Sequence, residues 1–145
     1  MSMRIVPVPE PVMLGGRELI VSALTDRQHV ALDRWAGGQA IAAAAQALPP
    51  GDPLWDQVVA AASREAVTIT WANSGAIRTR AGYVRLIWEM SRTATSPSPT
   101  EEEISDLMRK STPEEQKLIN AAFFRQNYPV KREVAEGDQN PPEPA

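Results

Sequence analysis

The sequence predicts a mainly α protein: a small N-terminal β-hairpin, then a bundle of about five helices, then a disordered acidic C-terminal tail. Three observations carry this expectation. Apolar residues recur at helical spacing through most of 26–125. Three capping-box signatures, Thr25 with Gln28, Thr100 with Glu103 and Thr112 with Glu115, stand where such stripes begin. The prolines gather where the stripes are interrupted.

The first section, 1–24, reads as extended chain and hairpin. Pro7, Pro9 and Pro11 alternate with Val6, Val8 and Glu10, and proline in a helix interior loses a donor and clashes with the preceding turn. Val12-Met13-Leu14 and Arg17-Glu18-Leu19-Ile20-Val21 flank Gly15-Gly16, a two-residue loop suited to a primed turn. If Leu14 faces Arg17, then Val12 faces Leu19 and Pro11 faces Ile20. In that register Pro11 needs no donor toward its partner strand, and the prolines leave an outer edge poor in N–H groups.

A helical body follows over 25–93. One helix starts at about 26 with Val30, Ala31, Leu32 and Trp35 inward. Gly37-Gly38 should break or bend it before an alanine-rich helix that runs to Leu48, stopped by Pro49-Pro50-Gly51. Asp52 and Pro53 read as N-cap and first helical residue of a second stripe, Trp55, Val58, Val59, Ala62, Ala66 and Ile69, reaching about Trp71. After Asn73-Ser74-Gly75, a third helix is expected over 77–92, with Gly82 at a close helix contact. A Ser/Pro linker occupies 94–99. Two helices over 100–128 should bury Ile104, Leu107 and Met108, then Leu118, Ile119, Ala122 and Phe123. Their acidic first turns suit the helix dipole. From 129 the chain is charged, proline-rich and aperiodic.

Composition excludes several functions. There is no cysteine, so disulfides and thiolate metal sites are ruled out. The start, Met1-Ser2-Met3-Arg4, lacks the pattern of a secretory signal. No apolar run approaches the roughly 18 residues that span a bilayer, so no membrane contact is expected and the cytoplasm is the default location. The net charge of −3 is uneven. Basic and acidic residues nearly balance through 95, whereas acidic ones dominate beyond it, which opposes phosphate backbones and makes nucleic acid a poor partner.

Catalytic chemistry finds no constellation, so no catalytic, metal or cofactor residues are assigned and an enzyme is not expected. His29 is the only histidine and reads as a surface residue. Glu101, Glu102, Glu103 and Asp106 read as a helix start, because catalytic carboxylates need differently perturbed surroundings. Protein contact is better supplied. Arg78, Arg85 and Arg92 are spaced by seven along one predicted helix side, with Glu89 placed to bridge Arg85. Of the four tryptophans, Trp35, Trp55 and Trp88 sit on stripes and read as core, whereas Trp71 ends a helix and can anchor a partner. Phe123 and Phe124 are adjacent and cannot both face one core. The expected contact surface is therefore Trp71, Arg78, Arg85, Arg92 and Phe124, and the stripes also allow self-association.

One resemblance adds to this. Pro9-Glu10-Pro11-Val12, Leu14-Gly15-Gly16-Arg17-Glu18 and Leu24-Thr25 resemble the N-terminal part of tail assembly chaperones of long-tailed bacteriophages and prophages. Tyr83-Val84-Arg85-Leu86-Ile87-Trp88 and Thr100-Glu101-Glu102-Glu103-Ile104 resemble their later helices. The likeness spans about 9–32 and 83–125. It implies a cofactor-free helper in the host cytoplasm that binds the tape measure protein and recruits tail tube subunits. An undifferentiated phage virion or tail protein is the nearest alternative, and a small DNA-associated regulator the second.

Overall fold

The computed structural model describes residues 7–128. The predicted disordered tail from 129 lies outside the described residues. The fold class is as the sequence predicts: two strands, β1 (Glu10–Leu14) and β2 (Arg17–Val21), and five helices, α1 (Asp26–Gln46), α2 (Trp55–Ala66), α3 (Arg80–Ser91), α4 (Glu101–Lys110) and α5 (Pro113–Asn127). A single 3₁₀ turn, Ala76–Arg78, precedes α3. The described residues form two compact units, one joining 7–24 to 87–128 and the other comprising 25–86. The sequence predicts a helical body over 25–93 and a separate pair of helices over 100–128. In the structure that body ends at Leu86, and the last two helices join the hairpin.

The hairpin needs a helix because an isolated two-stranded ribbon is marginally stable at best in water. Its register is the predicted one, with Leu14 opposite Arg17, Val12 opposite Leu19 and Pro11 opposite Ile20. Gly15 and Gly16 both have positive φ, 58° and 92°, as a type I′ turn requires. Gly15 has a second constraint. A Cβ there would lie 2.8 Å from the Cα of Leu107, so the turn can approach α4 only because the side chain is a hydrogen. Val12, Leu14, Leu19 and Val21 point to one buried face, which packs on α5.

The outer edge of β2 is covered. On β2 the outward Ile20 N–H donates to Thr95 Oγ1 at 2.8 Å, and Ser22 N–H donates to Met90 O at 2.9 Å. On the β1 side, Gln126 Nε2 donates to Val8 O at 2.7 Å. That bond gives the glutamine buried on α5 beside Ile119 and Ala122 a partner: it satisfies the carbonyl of Val8, in the proline-rich segment that leads into β1. The sequence predicts Leu118 inward, but it is 57% exposed. The hairpin covers the face of Ile119, Ala122 and Gln126, and one residue along a helix turns the side chain by about 100°.

Arg125 Nη2 and Nε donate to the Glu10 carboxylate at 2.7 and 3.0 Å. These bonds hold Glu10 below its ordinary carboxylate value, chiefly through Arg125 and then Gln126, and they raise Arg125. The pair therefore stabilises the fold above the unfolded glutamate value of about 4.3. Its contribution disappears as pH falls through the lower folded value. As a partly exposed pair it contributes at most about 1 kcal/mol. Glu10→Gln should lower stability at pH 7 and leave it unchanged at pH 2, measured by urea unfolding; equal losses at both pH values would reject the ion-pair account.

Unit 25–86 is built differently. The Thr25 capping box forms as predicted, with Gln28 N–H on Thr25 Oγ1 at 3.1 Å and Gln28 Oε1 on Thr25 N–H at 2.9 Å. Helix α1 then runs unbroken through Gly37-Gly38, correcting the expected break. A Cβ on Gly37 would meet Ala66 O at 3.2 Å, so this glycine serves a close approach to α2. Its buried stripe is Gln28, Leu32, Ala36 and Gly37; Val30 faces solvent and Trp35 is half-buried. Helix α2 starts two residues later than predicted, because Asp52 Oδ1 and O accept from Leu54 and Trp55 N–H in a turn before it. It also stops at Ala66, ahead of the β-branched run Val67-Thr68-Ile69-Thr70, where crowding at χ1 disfavours helix. Nothing on α2 is fully buried.

Candidate protein-binding surfaces

The early end of α2 places Trp71 on the chain's return past α1. Its N–H donates to Asp33 Oδ1 at 2.8 Å, and its ring meets Trp35 with centroids 5.8 Å apart and planes tilted by 48°. That separation is within the range favoured by aromatic pairs. Trp71 is thus half-buried against its own unit, and its role is to hold the return turn on α1. Asp33 is engaged by this backbone donor.

Beside the pair lies a groove of about 400 Å³, open along one side, lined by Trp35, Ala36 and Ala40 of α1, Ile69, Ala76 and Ala81. Its polar lining is Gln39, Ser74 and Thr79, and both hydroxyls are occupied locally. Ser74 Oγ donates to Trp71 O and accepts from Ala76 N–H, at 3.3 and 3.2 Å. Thr79 Oγ1 donates to Ala76 O at 2.8 Å and caps α3 by accepting from Gly82 N–H at 3.0 Å. The groove therefore offers apolar contact and makes little polar demand, apart from the Gln39 amide.

Arg78 and Arg80 flank the lining residue Thr79 in sequence, and both are exposed. Arg78 lies in the 3₁₀ turn, not on α3, because Thr79 is extended at ψ 153°. Arg85 lies one turn beyond Ala81 and is half-buried. Arg92 falls just past the end of α3, in the other unit. There its guanidinium lies 4.7 Å from the Trp88 ring centre and its Nε donates to Glu89 at 3.1 Å. The predicted single arginine side is therefore not formed: a 3₁₀ turn and an extended residue separate Arg78 from the helix, and Arg92 is held by Trp88 and Glu89. Trp35, Trp55 and Trp88, predicted to be core, are all partly accessible, Trp55 at 42%.

The remaining predicted residue, Phe124, belongs to a second surface on the hairpin unit. It is 59% exposed and Tyr128 is 60% exposed. Phe124 and Phe123 centroids are 5.2 Å apart, and Phe124 and Tyr128 centroids 5.8 Å apart. Phe124 and Tyr128 are exposed together, and Leu118 is exposed separately two turns earlier on α5. Sequence reasoning found Phe124 through its adjacency to Phe123. It missed Leu118 and Tyr128, whose exposure depends on which face the hairpin covers. It missed the groove because Trp35, Ile69 and Ala76 are brought together only by the turns.

Among the described residues no group of three His, Cys, Asp or Glu side chains is placed to hold a metal ion. No helix there is long and apolar enough to cross a membrane. No family model, curated protein or solved structure matches the chain.

Proposed function

We propose that the protein is a non-catalytic assembly helper that shields an apolar helical segment of a client protein until the client is incorporated. The observation that carries this reading is the open groove of unit 25–86, whose walls are apolar and whose hydroxyls are already bonded. Such a surface suits the apolar face of an amphipathic helix. The exposed pair Phe124 and Tyr128 supplies a second contact for another partner.

The resemblance to phage tail assembly chaperones gives these partners their proposed identity. The tape measure protein, with its long apolar helical stripes, is the client of the groove. Tail tube subunits are the partners recruited. The work is done in the bacterial host cytoplasm, without a cofactor.

Co-expression with a tape measure protein of a long-tailed phage should give a soluble complex that copurifies. Phe124→Ser should leave stability within about 0.5 kcal/mol of the parent, as expected at an exposed site, while weakening tail tube capture. If the tape measure protein precipitates alone and never copurifies, the chaperone reading fails.

A further inference from the structure

The hairpin has two edges, and only that of β2 is closed. Ile20 N–H points out of β2 and donates to Thr95 Oγ1 at 2.8 Å, which fixes the parity of the ladder. Across the hairpin Ile20 faces Pro11, and Met13 lies two residues on, so the backbone groups of Pro11 and Met13 point out of β1. Among the described residues Met13 N–H, Met13 O and Pro11 O have no hydrogen-bond partner, and Met13 is 47% exposed. The edge thus presents two acceptors and one donor, because proline has no N–H.

Helix α5 runs alongside this edge. Glu115 Oε1 accepts from Gly15 N–H in the turn at 3.0 Å, and Arg125 Nη2 reaches Glu10 at the start of β1 at 2.7 Å, so the helix follows the strand from end to end. Asn127 Oδ1 accepts from Leu24 N–H, past the end of β2, at 3.0 Å. Two residues turn a helix by about 200°, so Arg125 marks the β1 flank of α5 and Asn127 the β2 flank. Leu118 lies seven residues before Arg125 and shares the β1 flank, where it is 57% exposed.

We propose that the β1 edge accepts an extended segment of another protein as a third strand, with Leu118 covering the side chains that this strand turns toward α5. Hydrogen bonding selects the occupant. Each β1 edge has one N–H to give, that of Met13, since Pro11 has none and Gly15 N–H is held by Glu115. Two copies paired through β1 would therefore share at most two hydrogen bonds, one donated by each Met13. A segment without proline donates its own N–H groups to Pro11 O and Met13 O and also accepts from Met13. Cross-strand partners share a face, so its residues opposite Pro11 and Met13 point to solvent and the alternate ones point toward α5. The segment recognised is alternately polar and apolar, and its apolar side chains meet Leu118.

An acetylated, amidated seven-residue peptide alternating Thr and Val tests this by NMR titration of the isotope-labelled full chain. The Met13 amide signal should shift, and its exchange with solvent should slow. N-methylation of the Thr residues removes the donors that face β1 and should weaken binding about ten-fold, the loss expected for two hydrogen bonds. N-methylation of the Val residues, whose N–H groups face away, should leave affinity within about two-fold of the parent peptide. Met13→Pro removes no hairpin bond, because Met13 and Glu18 form a non-bonded pair, and should weaken binding about three-fold. Leu118→Asp should also weaken it, with the circular dichroism spectrum unchanged.

An unmoved Met13 signal at millimolar peptide, equal losses from the two methylation patterns, or parent-like binding by Met13→Pro would overturn the proposal. So would a dimer of the chain alone, seen by analytical ultracentrifugation and dissociated by Met13→Pro, because a second copy would then hold the edge. The site is separate from the groove of unit 25–86, so none of these outcomes bears on the client reading.

Discussion

Gly82→Ala should destabilise unit 25–86 by about 2 kcal/mol, although alanine is intrinsically the better helix former by about 1 kcal/mol. Two effects of opposite sign compete at this position, and geometry decides between them. A Cβ on Gly82 would overlap the carbonyl of Ala76 and lie 2.9 Å from Thr79 Oγ1. The first obstacle is backbone and cannot rotate away, so overpacking of about 1–3 kcal/mol applies. The second is the hydroxyl that caps α3, and disturbing a cap costs about 1 kcal/mol more. Together they exceed the propensity gain.

The loss should appear as a lower thermal midpoint, by roughly 10 °C for a unit of this size. It should also appear as faster amide exchange around 76–84. A stabilised Gly82→Ala protein would show that the 3₁₀ turn does not pack on α3 as described. The same substitution should distort the groove, since Ala76, Thr79 and Ala81 all line it.

Ile119→Ala should cost about 3–4 kcal/mol, the usual loss when a fully buried branched side chain leaves a cavity. Ile119 is 0% exposed on the α5 face that packs on the hairpin. Its neighbour Leu118 is 57% exposed, so Leu118→Ala should change stability by no more than about 0.5 kcal/mol. The two substitutions remove similar volumes from adjacent positions, and the contrast measures which face the hairpin covers. Urea unfolding at pH 7 would read both. Equal losses would mean that α5 is rotated from the orientation described.

Local chemistry was legible in the sequence wherever one segment contained the whole interaction. The hairpin register follows from a glycine pair and the positions of three prolines. The three threonine capping boxes, at Thr25, Thr100 and Thr112, each form with the partner three residues later. Phe124 was recognisable as outward because two adjacent phenylalanines cannot share one helix face. In each case donor, acceptor or steric constraint lies within a few residues, so no knowledge of packing is needed.

Tertiary structure decided the rest. Gly37-Gly38 looks like a break but lies inside α1, because α1 packs on α2 and Ala66 occupies the space a side chain on Gly37 would need. Arginines at a seven-residue spacing look like one face, but a 3₁₀ turn and an extended Thr79 take Arg78 off α3. Arg92 is held by Trp88 and Glu89. The sequence by itself determined a mainly helical chain with a proline-edged hairpin and capped helices, since those depend on backbone geometry and near neighbours. Which apolar residues would be left uncovered was decided only when the hairpin settled on α5 and the return turn settled on α1. Burial is a property of pairs of surfaces, and the second surface lies far away in the chain.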